Sequence, residues 1–197
     1  MNEQPQPLGE RFLDWWFAPW DQHGKPPDLA PTRSLLARRT GYRLWCDAAG
    51  VPADLPPTWD SGWQMLALAD GALLRRAACL YAALLAARLA RPAQLAALPM
   101  AQRRWCLGVA NTQPLRALTD PDPTCSLESW GIAELAGALS TGFAGMWPRL
   151  RLVLDAPDMP VASTPVQPAA ATRSLRCWRM CLERAARAER ADFGPQP

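Results

Sequence analysis

The sequence contains very few β-branched aliphatic residues and only one histidine. Valine occurs five times and isoleucine once, whereas alanine occurs 35 times and leucine 28 times. Ala and Leu favour helices, whereas a sheet-rich fold needs Val and Ile. We therefore predict an all-α protein, built as a single compact multi-helix domain.

Sequence patterns typical of catalytic and metal sites are missing as well. His23 is the only histidine, and its loop is rich in Pro and Gly, so we interpret it as an exposed loop residue. The six Cys residues form no CxxC pair, and a Cys/His zinc site has no further ligands. Motifs of the GxSxG, HExxH, GxxxxGK[ST] and GxGxxG types are missing. We predict a protein that is not an enzyme, with no catalytic residue, no cofactor and no bound metal.

The chain also lacks a long apolar run, and we expect no secretory signal. Its longest apolar stretch runs from Ala77 to Ala87, and Arg residues flank it on both sides. A membrane-spanning helix needs about 20 apolar residues. The polar N-terminus has no apolar segment of the kind that signal peptides carry. We expect a cytoplasmic protein with reduced thiols and no transmembrane segment.

Proline-rich stretches divide the chain into four parts. We predict a disordered tail over 1–8, a helical domain over 9–155, a Pro/Ala-rich linker over 156–171 and a tethered amphipathic helix over 172–192. Within the domain, Thr58, Asp70 and Ser126 are expected to cap the N-termini of helices. The segment RLRLVL (149–154) alternates apolar and basic residues, which leaves a short edge strand and a last helical turn as alternatives.

Positive charge is concentrated in the last helix. The net charge is +3, and the region Arg173 to Asp192 holds six Arg and three acidic residues, which leaves 15 basic and 15 acidic residues before it. Three interpretations of this helix are open: a solvated helix face, a docking site for a partner protein, and a site for nucleic acid or an anionic membrane. The neutral body of the chain makes nucleic acid unlikely.

Aromatic residues are concentrated near the N-terminus, in RFLDWWFAPW (11–20). On a helix Phe12, Trp15 and Trp16 share one side, and Pro19 ends the helix. We favour a helix that packs by its aromatic side onto the Leu/Ala-rich body, with an exposed Trp patch as the alternative. The candidate protein-interaction residues are Trp15, Trp16, Trp20, Arg176, Trp178 and Arg179.

The order and composition of the helical segments from about 59 to 157 resemble a known family. A long Ala/Leu/Arg segment (GWQMLALADGALLRRAACLYAALLAARLARPAQLAAL) is followed by AQRRWCLGVAN, SWGIAELAGAL and MWPRLRLVLDAP. This order is similar to that of the SctK/YscK-type accessory proteins of bacterial type III secretion, including the Hrp branch. The resemblance implies a cytoplasmic sorting-platform scaffold without enzymatic activity.

Such a scaffold would act at the cytoplasmic face of the inner membrane through its partners. The resemblance implies two of them, an SctD-type inner-ring protein and an SctQ-type pod protein, which the scaffold would link. From the residues alone, the alternative function is that of a nucleic-acid-associated regulatory protein that uses the Arg-rich last helix.

Overall fold

The computed structural model describes residues 7–18, 35–113, 115–119, 121–122, 124–156 and 168–192. These ranges are helical and contain no strand, which confirms the all-α prediction. Predictions about the tail before residue 7, about Trp20 and His23, and about the linker over 157–167 lie outside the described residues. The α-helices are α1 (Glu10–Phe17), α2 (Leu35–Ala49), α3 (Gly71–Arg88), α4 (Pro92–Ala96), α5 (Met100–Thr112), α6 (Leu127–Gly142), α7 (Met146–Leu154) and α8 (Pro168–Asp192), and a 3₁₀ helix spans Ser61–Leu68.

Helix α3 is the centre of the fold. It packs against α4, α5, α6, α7 and α8. Every residue from Leu80 to Ala86 is buried, because the sequence here is apolar on all sides of the helix. The core cluster extends from α3 into every other α-helix that the structure describes. Among the described ranges, no helix is long and apolar enough to cross a membrane.

Two of the three expected helix caps are present. The Asp70 carboxylate accepts a hydrogen bond from the Leu73 amide at 2.7 Å and begins α3. The Ser126 hydroxyl accepts one from the Ser129 amide at 3.0 Å and begins α6. The prediction for Thr58 is wrong: the 3₁₀ helix begins at Ser61, because the Asp60 carboxylate caps it by accepting from the Gly62 amide at 2.9 Å.

The segment RLRLVL is helical and belongs to α7, so the edge-strand alternative is wrong. Pro148 lies in the first turn of α7, where a missing amide hydrogen costs no intrahelical hydrogen bond. Leu150 and Leu154 share one side of the helix and are buried, and Leu152 is exposed. The apparent alternation of the sequence therefore reflects one buried helix face.

Helix α8 begins four residues earlier than the expected helix over 172–192, at Pro168, a residue whose fixed φ suits the first turn. Its apolar side packs against α3, with weaker contacts to α6 and the 3₁₀ helix. Leu175, Trp178 and Leu182 are part of the main core cluster. The helix is thus an integral part of the core, because its apolar stripe is buried by the chain's own helices.

Candidate functional site

The aromatic residues of α1 face inward. Phe12, Trp15 and Trp16 are at most 1% exposed. The ring of Phe143, just after α6, lies 5.3 Å from that of Phe12 and 5.7 Å from that of Trp16, between centroids. The favoured interpretation of RFLDWWFAPW agrees with this packing. That Trp15 and Trp16 contact a partner stays a prediction, but the body of the protein buries both indoles and leaves almost no indole surface for a partner to contact.

Trp178 of α8 is buried as well. Its ring stacks on that of Tyr81 in α3, with 4.5 Å between centroids and 10° between planes. The Tyr81 hydroxyl lies 2.9 Å from the Ser174 hydroxyl and links the same two helices. That Trp178 contacts a partner stays a prediction, but the fold places the side chain inside the protein, because its helix face is the one that packs against α3. The indole cannot stack on a nucleic-acid base in this position.

The opposite side of α8 carries exposed arginines. Arg176 and Arg179, both predicted as interaction residues, are exposed, and so are Arg173 and Arg187. We call these four residues the α8 basic face. Glu183 lies among them and pairs with Arg187 at 3.7 Å between Oε2 and Nη2. The sequence-based list omitted Arg173, although its spacing of three residues from Arg176 places it on the same face.

A buried carboxylate holds the connection between α5 and α6. Glu134, fully buried in α6, accepts hydrogen bonds from the amides of Leu118 and Thr119 at 2.9 and 2.8 Å. The Thr119 hydroxyl and the Trp130 indole also donate to it, at 2.6 and 3.3 Å. Burial raises the pKa of Glu134, and these hydrogen bonds oppose the rise. From the sequence alone we interpret Glu134 as a surface group; the structure corrects this, because the residues that surround its carboxylate lie 15 and 16 positions earlier in the chain.

A buried guanidinium connects α7 with α1 and α2. Arg149 is 1% exposed, and its carbon Cζ lies 4.1 Å from the centre of the Trp16 ring. Its Nη2 donates to the Tyr42 hydroxyl at 2.8 Å and to the Pro52 carbonyl at 2.6 Å. Burial raises the pKa of Tyr42, and the positive charge of Arg149 partly offsets that rise. The role of Arg149 cannot be read from local sequence, since the groups to which it donates lie about a hundred positions earlier in the chain.

The cysteines are free thiols, and four of them are fully buried. Burial raises the pKa of Cys106 to about 12 and that of Cys177 to about 11. It also raises the pKa of Cys181 well above its ordinary value. Thiols with such values are protonated at neutral pH and therefore poor nucleophiles and metal ligands. Within the described residues, no group of three or more His, Cys, Asp or Glu side chains is placed to hold a metal ion.

Two shallow clefts open on the surface. One, of about 530 Å³, lies between α1 and the start of α3 and is lined by Arg11, Asp14, Trp15 and Asp70 among others. The other, of about 440 Å³, lies between α3, α4 and the start of α6 and includes Cys79, Cys125 and Glu128. Glu128 is engaged by Arg75, with 3.1 Å between Oε1 and Nη1. The α8 basic face is more clearly organised than either cleft, and we take it as the candidate functional site.

No family model matches the chain, and comparisons with curated proteins and with solved structures gave no significant match.

Proposed function

We propose that this protein is a non-enzymatic cytoplasmic adaptor that acts by binding other proteins. The observation that supports the proposal is the two-sided character of α8. One side is buried against α3, and the other side presents Arg173, Arg176 and Arg179. A helix fixed in this way displays its charged groups in a constant arrangement, and preorganised groups lose little entropy when a partner binds.

The resemblance of residues 59–157 to SctK/YscK-type proteins suggests the system in which the adaptor works. We propose that it links the SctD-type inner ring of a type III secretion system to the SctQ-type pod. The helical fold, with tryptophans used in the core, is compatible with a scaffold of this kind.

Co-purification tests this proposal. The full chain is co-expressed with an SctD-type cytoplasmic domain and an SctQ-type protein of a type III secretion system, and the tagged chain is captured at physiological salt. We expect a complex with one of the two that elutes as a single species in size-exclusion chromatography. Failure to form either complex, together with salt-sensitive retention of duplex DNA, would instead support the nucleic-acid-associated alternative.

A further inference from the structure

The α8 basic face carries the charge imbalance of the molecule. Residues before Arg173 hold equal numbers of basic and acidic groups, so the net charge of +3 arises in the last helix. Within the described residues, no carboxylate forms an ion pair with Arg173, Arg176 or Arg179. Unpaired guanidinium groups in one row attract an anionic partner.

The arginines of the α8 basic face are regularly spaced because they lie on one continuous helix. With a rise of about 1.5 Å per residue, Arg173 and Arg179 are separated by about 9 Å along the axis, and Arg173 and Arg187 by about 21 Å. Buried side chains hold this helix against the core: Leu175, Cys177, Trp178, Cys181, Leu182 and Ala185.

The same packing disfavours nucleic acid and membranes as occupants. Single-stranded nucleic acid is bound by stacking on aromatic side chains, and the one aromatic residue in the described part of α8, Trp178, is buried against Tyr81. An amphipathic helix binds a membrane by inserting its apolar side, and that side of α8 lies in the core. Glu183 would also repel a continuous line of phosphates.

We propose that the α8 basic face binds an acidic helical segment of a partner protein. Carboxylates placed three or four residues apart on such a helix repeat along its axis at the same spacing as Arg173, Arg176 and Arg179. Guanidinium groups bind carboxylates through two parallel hydrogen bonds, which gives direction to the contact. Glu183 sets the register, because a carboxylate opposite it would be repelled. This inference rests on the proposed adaptor function and specifies the chemistry of one partner.

Binding of a defined peptide tests the inference. The probe is a fluorescent helical peptide with Glu at positions i, i+3 and i+7 on an Ala-rich background, and the readout is fluorescence anisotropy. The variant Arg173→Glu/Arg176→Glu/Arg179→Glu reverses the charge of the face without touching the core. We expect it to bind the peptide at least about 10-fold more weakly than the wild-type chain.

A matched control makes the same change of net charge elsewhere. The variant Arg39→Glu/Arg43→Glu/Arg104→Glu alters exposed positions of α2 and α5. We expect its affinity for the peptide to stay within about 2-fold of the wild-type value, because long-range effects of exposed charges are screened by salt. Circular dichroism of both variants shows whether they are folded. Equal weakening by the two variants would overturn the inference, since the attraction would then depend on net charge alone.

Competing probes decide between classes of partner. Tighter binding of duplex DNA or of phosphatidylglycerol vesicles than of the peptide, lost in the α8 variant, would also overturn the inference.

The adaptor proposal and the proposal for the α8 basic face fail in different ways. If the α8 variant still co-purifies with a secretion component, the adaptor function stands and this face is not its site. If no such component is captured but the peptide binds through α8, the face is correctly assigned and the secretion system is not.

Discussion

Individual polar residues in this protein stabilise the core from within. Glu134 and Arg149 are both buried charged residues, and each is surrounded by partners of a different kind. Four groups donate hydrogen bonds to Glu134, whereas Arg149 lies against an indole ring and donates to a hydroxyl and a carbonyl. Removing one partner from such an arrangement leaves another group buried and unsatisfied, which costs more than losing a surface ion pair.

We expect Glu134→Gln to destabilise the fold by about 1–3 kcal/mol. The side-chain amide keeps one acceptor oxygen for Thr119 and Trp130 but places an NH2 donor where the Leu118 amide meets the second carboxylate oxygen. The free energy of unfolding in urea measures the effect. Glu128→Gln is the control: its ion pair with Arg75 is half-exposed, and we expect a loss below about 1 kcal/mol. Equal losses in the two variants would show that the hydrogen bonds to Glu134 contribute little.

We expect Arg149→Lys to lower the free energy of unfolding by about 2–4 kcal/mol. An ammonium group cannot stack its charge flat on Trp16 while it donates to both Tyr42 and the Pro52 carbonyl. Urea unfolding, followed by circular dichroism, is the measurement. Arg39→Lys, at an exposed position of α2, is expected to change stability by less than about 0.5 kcal/mol. A similarly small change for Arg149→Lys would contradict the structural role of the guanidinium.

At the scale of helices, α3 and α6 approach each other closely at Gly131. A Cβ atom on Gly131 would overlap the backbone of Ala78, including its carbonyl oxygen. The two helices can therefore approach this closely only because position 131 is glycine. Gly108 in α5 is the opposite case, since a Cβ there would meet no atom within 4 Å.

Substitution of these two glycines by alanine should have effects of opposite sign. We expect Gly131→Ala to destabilise the protein by about 1–3 kcal/mol or more, because α3 and α6 must separate. We expect Gly108→Ala to stabilise it by about 0.5–1 kcal/mol, because alanine is the better helix former. Thermal and urea unfolding of the two variants measure both changes. Stabilisation by Gly131→Ala would disprove the close contact.

Local signals predicted much of the helical framework. Asp70 and Ser126 mark their helices because a capping side chain acts within three residues of itself. The side of α8 that Leu175, Trp178 and Leu182 form was also predictable from spacing. Spacing did not predict that α3 covers this side of α8, because α3 lies about ninety residues earlier in the chain. The same limit applies to the candidate site: burial of Trp178 and exposure of Arg173 depend on how α8 is turned against α3.

For the molecule as a whole, buried thiols with raised pKa values make the stability depend on pH in alkaline solution. In the unfolded chain the thiols ionise near their ordinary pKa of 9.0, but in the fold Cys106 and Cys177 do so only near 12 and 11, and Cys181 far above 9.0. Between these values the folded state holds more protons than the unfolded state. Stability is therefore fully present below about pH 9 and falls as the pH rises through the folded values.

We expect the free energy of unfolding to fall between pH 9 and pH 10 by up to about 1.4 kcal/mol for each buried thiol. Urea titrations at several pH values measure the slope. In Cys106→Ala the slope should be shallower by the contribution of one thiol, even though the variant is less stable at neutral pH. A slope that this substitution leaves unchanged would show that another group causes the alkaline loss.

The packing of α8 on α3 also affects how the chain folds during its synthesis on the ribosome. During synthesis α3 leaves the ribosome well before α8 exists, and until then nothing from α8 can cover Tyr81 and the neighbouring side of α3. The nascent chain therefore passes through a stage with an open apolar groove, of the kind that chaperones bind and that promotes aggregation. Contacts between distant parts of a chain also form late in folding. The last helix completes the core both in space and in time.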